Sequence, residues 1–110
     1  MRFGRQDRFA DLVERMLDLV AVDEAALLEE AATAEAAWTA SDREGAEEAY
    51  GDFQLVVDAI ADRLLEARDS YAATLSGAAR EAFVDSFNRE AAKRFRRYAS
   101  IVADLTDDLG

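Results

Sequence analysis

No proline interrupts the 110 residues of this chain, and that absence constrains the fold more than any residue present. Proline breaks helices because it lacks an N–H and its ring collides with the preceding turn. Without it, a chain with 24 alanines and only 5 glycines can run as helix over most of its length. The apolar residues agree, recurring at three- and four-residue spacing in four segments. The first carries Phe9, Leu12, Val13, Met16, Leu17 and Val20; the second Leu27, Leu28, Ala31, Ala34 and Trp38. The third is long, with Ala46, Tyr50, Phe53, Val57, Ile60, Leu64, Ala67 and Tyr71. The fourth carries Phe83, Phe87, Ala91, Phe95, Tyr98, Val102, Leu105 and Leu109.

With no proline, the joints must be set by capping residues and glycine. Ser41 followed by Glu44 fits a capping box, and Ser76-Gly77 fits a helix stop and restart. Between the first two segments, Asp23 fits an N-cap with Val22 and Leu27 as its hydrophobic staple. A continuous helix from 6 to 39 satisfies the same pattern. Gly45 and Gly51 either mark a frayed start of the third helix or let a neighbouring backbone pass closely. The expected fold is all-α. It is an elongated, antiparallel bundle of three or four helices, about 6–21, 24–39, 42–75 and 78–108, in one domain spanning 1–110. Helices of roughly 30 residues are about 45 Å long. That is an elongated shape for so short a chain, and dimerisation is expected to complete the bundle.

Composition removes whole classes of chemistry. There is no histidine and no cysteine, so no histidine base, thiolate metal site, disulfide or redox switch is expected. No glycine-rich phosphate loop occurs either. Acid pairs at helical spacing recur: Glu44 with Glu48, Asp58 with Asp62, Asp62 with Glu66, and Asp104 with Asp108. Metal-binding bundles add histidines to such carboxylates, so these pairs read as solvated helix faces. No enzyme activity, cofactor or metal is expected. The charged N-terminus lacks the apolar core of a signal peptide, and the longest uncharged stretch, residues 70 to 79, is too short to span a membrane. A cytoplasmic location without membrane contact is the expectation.

The net charge of −11 comes from 13 Asp and 11 Glu against 12 Arg and Lys93. Such acidity favours solubility and disfavours free contact with nucleic acid. It matches salt adaptation or a codon-driven preference for Arg and Ala as well as it matches binding of a basic partner. The charges are unevenly placed. Residues 23 to 58 carry eleven acids and only Arg43, whereas five cations crowd into 89 to 97. On a helical projection Arg89, Lys93, Arg96 and Arg97 lie opposite the Ala91, Phe95, Tyr98, Val102 stripe, with Arg94 nearer its edge. The plainest account of the strip is charge balance against the acidic 23–58 segment, within one chain or across a dimer. The other account is contact with an anionic partner, nucleic acid included, since a row of cations suits phosphates. Phe95 and Tyr98 turn toward the core and offer no stacking platform.

Trp38, Tyr50, Tyr71 and Tyr98 lie on or beside the stripes and read as core or core-edge residues. Trp38, near a turn, is also a candidate partner anchor. Trp38-Thr39-Ala40, ahead of Ala49-Tyr50, resembles the Trp-x-Gly turn of the small helical-hairpin proteins exported by type VII secretion. The resemblance covers residues 34 to 75 and implies a hairpin that pairs into a four-helix bundle and is exported. The chain departs from that pattern in having Ala40 at the glycine, a long fourth helix, and no Tyr-x-x-x-Asp/Glu signal after Tyr71 or Tyr98. The functional expectation is therefore a scaffold or regulatory protein acting by self-association and protein–protein contact. Nucleic-acid association through the basic strip and export as a helical hairpin are its rivals.

Overall fold

The computed structural model describes residues 7–96, and among these no strand occurs. Four helices follow one another: α1 (Ala10–Asp23), α2 (Ala25–Ala40), α3 (Ala46–Ala72) and α4 (Gly77–Arg94). The all-α expectation holds, and the first segment pair is broken rather than continuous. The break is slight. Glu24 alone leaves helical geometry, while its N–H still donates to the Val20 carbonyl and its own carbonyl accepts from Leu28 N–H. Asp23 is the last residue of α1 and makes no side-chain cap, and Val22 lies exposed, so the expected staple is not formed.

The second joint also forms by different chemistry. The Ser41 hydroxyl turns back and donates to the Trp38 carbonyl at 2.7 Å, satisfying the end of α2. It is then unavailable for a capping box with Glu44. The Asp42 carboxylate takes over, accepting from Gly45 N–H at 2.8 Å, and α3 starts at Ala46 rather than 42. At the third joint α3 stops at Ala72. Thr74 bonds back to the Tyr71 carbonyl through both its N–H and its hydroxyl. Gly77 adopts φ +58°, as the Ser76-Gly77 signal requires, but as the first residue of α4 rather than a cap on α3. Lys93 and Arg94 fill the last turn of α4, where cations face the unpaired carbonyls. The helix ends at Arg94, and the expected continuation over 97–108 lies outside the described residues.

The helices build two unlike regions. At one end α1, the C-terminal half of α3 and α4 enclose Val13, Leu17, Ile60, Leu64, Phe83, Phe87 and Ala91, all buried. Phe83 is the centre of an aromatic group, with ring centroids of Phe9, Tyr71 and Phe87 within 4.9 to 6.0 Å of its own. At the other end α2 does not reach α4 and packs chiefly on the N-terminal half of α3. Alanines bring these two helices close, and Ala31, Phe53 and Val57 are the buried residues there. The described residues measure 52 × 29 × 25 Å, with a radius of gyration of 15.9 Å. A compact chain of about 100 residues would have about 13 Å.

Three polar side chains, Arg68, Ser86 and Asn88, are buried inside the three-helix end. The Arg68 guanidinium is buried between α3 and α4, donating to Asn88 Oδ1 at 3.1 Å and to Asp69 Oδ1 at 2.9 Å. Burial of a charge is tolerated only with such partners. Its position four residues after Leu64 and four before Ala72 puts it on the buried row of α3.

Candidate interaction surface

Arg89 and Lys93 stand exposed on α4 opposite buried Ala91, as the projection places them, whereas buried Phe95 and exposed Arg96 follow the end of the helix at Arg94. Arg97 lies outside the described residues. What the strip touches differs from expectation. Arg89 pairs with Asp7 at 2.8 Å, Lys93 with Glu90 at 3.6 Å, and Arg94 with Asp18 at 2.6 Å. These partners belong to α4 itself, to α1 and to the residues just before it. None comes from the acidic 23–58 segment, so among the described residues the expected balance against that segment is not made. The reason is geometric, because α2 packs on α3 and never reaches α4.

Asp7 is the hub of this cation contact. Its carboxylate accepts from Ser86 Oγ at 2.6 Å, from Phe9 N–H at 3.0 Å and from Arg89 at 2.8 Å. Partial burial raises its pKa. The Ser86, Phe9 and Arg89 hydrogen bonds, with the Arg89 charge, outweigh that and hold it below the usual carboxylate value. The contact ties the entry of α1 to the middle of α4. Sequence reading missed it because the partners lie 79 and 82 residues apart.

Trp38 stands at the tip of the α2–α3 arm. Its indole stacks on Phe53 at 5.7 Å and tilts against Tyr50 at 4.7 Å. Both Trp38 (37% exposed) and Tyr50 (45%) keep an edge in solvent, so they cap the arm rather than fill its core. Around them Glu44, Glu47, Glu48 and Asp52 are exposed. The acid pairs at 44/48, 58/62 and 62/66 are all on solvent faces, and 104/108 lies outside the described residues. Among the described residues no group of acidic side chains is placed to hold a metal ion. No described helix is long and apolar enough to cross a membrane.

The surface that sequence reading did not single out is on α1. Leu19 is 58% and Val22 is 74% exposed. Beside them lies a groove of about 310 Å3 lined by Met16, Leu19, Val20 and Ala67, with Arg15 and Asp23 at its walls. Leu12, Met16 and Val20 are only partly covered by the core. Leu19 and Val22 fall beside the main stripe of α1. Leu19 widens the apolar face of the helix beyond what α3 and α4 cover, while Val22 stands further round, past Leu19. A further exposed apolar residue, Leu55 (70%), lines a groove between α2 and α3 with Ala34, Ala37, Ala49 and Val56, beside Glu30 and Asp52.

Comparison of the chain with protein-family models, with curated proteins and with solved structures returns no match. The residues that the Trp-x-Gly resemblance covers form α2 and α3, which pack on each other, an arrangement that identifies no family by itself.

Proposed function

We propose that this chain is a non-enzymatic interaction protein of the cytoplasm, an antiparallel helical bundle completed by self-association and serving as a scaffold or regulator. The observation that carries this reading is the apolar face of α1, where Leu19 stands in solvent beside partly covered Met16 and Val20, with Val22 exposed three residues further on. Contiguous apolar surface rimmed by charge is what a partner surface presents. The elongated shape supports a second copy as that partner, since two such bodies side by side regain compactness. Nucleic-acid contact through α4 is disfavoured by the acids that already hold Arg89, Lys93 and Arg94.

Sedimentation velocity tests the reading. The native protein should move from monomer to dimer as its concentration rises through the micromolar range. The double variant Leu19→Glu/Val22→Glu should stay monomeric with an unchanged helical spectrum, because both side chains are exposed. A native protein that remains monomeric at every concentration would overturn self-association.

A further inference from the structure

Arg15, Leu19 and Asp23 form one row on α1, spaced four residues apart, with an apolar residue between charges of opposite sign. Both charges are exposed, and neither makes an ion pair among the described residues. Such a row is complementary to itself when reversed. From this we infer that two copies pair α1 against α1 in opposite directions across a twofold axis at Leu19, with Arg15 of each facing Asp23 of the partner subunit. The inference rests on the self-association proposed above and gives it a face, a direction and a register.

The register follows from reversal about residue 19. Position 15 meets 23, position 16 meets 22, and position 12 meets 26. Met16 therefore lies against Val22 of the partner subunit, and Leu12 against Ala26 of the partner subunit, so apolar residues meet apolar residues along the row. A parallel pairing would set Arg15 on Arg15 of the partner subunit and Asp23 on Asp23 of the partner subunit, two like-charge contacts that cost rather than help. The isologous geometry is the commonest one for a dimer.

The other exposed apolar residue fails the same test. Reversal about Leu55 sets Asp52 against Asp58 of the partner subunit and Glu48 against Asp62 of the partner subunit. The tip around Trp38 is rimmed by Glu44, Glu47 and Glu48 and has the same defect. Among the exposed apolar sites on the described surface, the α1 row therefore combines apolar surface with charges that match when reversed. A helix of 14 residues is only about 21 Å long. That is short for the roughly 1,200 Å2 of a stable interface. The dimer should therefore exchange with monomer rather than be permanent.

Charge reversal with rescue tests the register. Sedimentation equilibrium would compare the native protein with Arg15→Glu, Asp23→Arg and the double variant Arg15→Glu/Asp23→Arg. Each single reversal creates two repulsive contacts per dimer and should weaken it by about tenfold, and the double variant should return within about threefold of native. Net charge alone makes a different forecast. Asp23→Arg reduces the −11 charge and would tighten a dimer governed by overall repulsion. A tighter Asp23→Arg dimer, unchanged single variants, or a double variant that stays weak would each overturn the register while leaving self-association standing. A native protein that never dimerises would overturn both. An independent reading comes from Leu19→Cys, since the chain has no cysteine of its own. Under oxidising conditions it should cross-link to itself, and Leu55→Cys should not; the reverse pattern would place the contact on α3.

Discussion

The two ends of this molecule share only α3 and are held by different means. At the three-helix end, three elements meet over large side chains, and the Arg68–Asn88 and Asp7–Ser86–Arg89 contacts fix α4 against α3 and the entry of α1. In the arm, two helices meet over alanines, with Phe53 and Val57 as the large buried groups and Trp38 covering the tip. Alanine permits close approach but removes little apolar surface from water. The arm also carries Glu29, Glu30, Glu35, Asp42, Glu44, Glu47, Glu48, Asp52 and Asp58 against Arg43 alone. Close helix packing is therefore not the same as stability. The more intimate helix pair sits in the region with less apolar burial and more like-charge repulsion.

The comparison breaks most visibly in the cores. Phe87→Ala opens a cavity at the fully buried centre and should cost about 3–5 kcal/mol, lowering the denaturant midpoint of the whole chain. Phe53→Ala, in a two-helix contact with room to collapse, should cost distinctly less and act on the arm. Equal losses in urea titrations would mean that the two ends fold as one unit.

Acid should act on the other end. Asp7 has its folded pKa lowered, so the stability it contributes is complete above its unfolded value of about 3.9 and is lost as pH falls through the lowered folded value. Asp7→Asn should be less stable than the native protein at pH 7. That gap should narrow below about pH 4 and close once the folded carboxylate is protonated. A gap independent of pH would show that the Asp7 charge contributes nothing.

The smallest effect sharpens the arm. A Cβ added at Gly51 would meet nothing within 4 Å, so no neighbouring backbone requires the glycine there. Gly51→Ala should stabilise α3 by up to about 1 kcal/mol. Thermal melting should register this as a rise confined to the less stable region.

Some of this was legible and some was not, for physical reasons. The stripes were readable because burial on a helix repeats every 3.6 residues, and Val13, Leu17, Val57, Ile60, Leu64, Phe83, Phe87 and Ala91 are all where that period puts them. Joints were readable to within a few residues, but not their chemistry. Ser41 can cap the next helix or bond back to the last one, and only the folded turn shows that it donates to the Trp38 carbonyl and leaves Asp42 to accept from Gly45 N–H. Arg68 was missed because a charge on a stripe reads as surface until its partner Asn88, 20 residues on, is in place. For the candidate surface, spacing located the cations of α4 but not their partners Asp7 and Asp18. It also gave no sign that Leu19 and Val22 would stay uncovered, since periodicity says which way a side chain points and not whether a neighbour arrives.

The central claim is that the acidic arm is the weaker half of a unit anchored by its three-helix end. Native-state amide hydrogen exchange in dilute buffer and in molar salt tests it directly. Amides of residues 27–57 should exchange faster than those of 61–91 in dilute buffer. They should gain protection in salt, with a parallel rise in the helical circular-dichroism signal, as acid–acid repulsion is screened. Uniform protection along the chain, unchanged by salt, would contradict it.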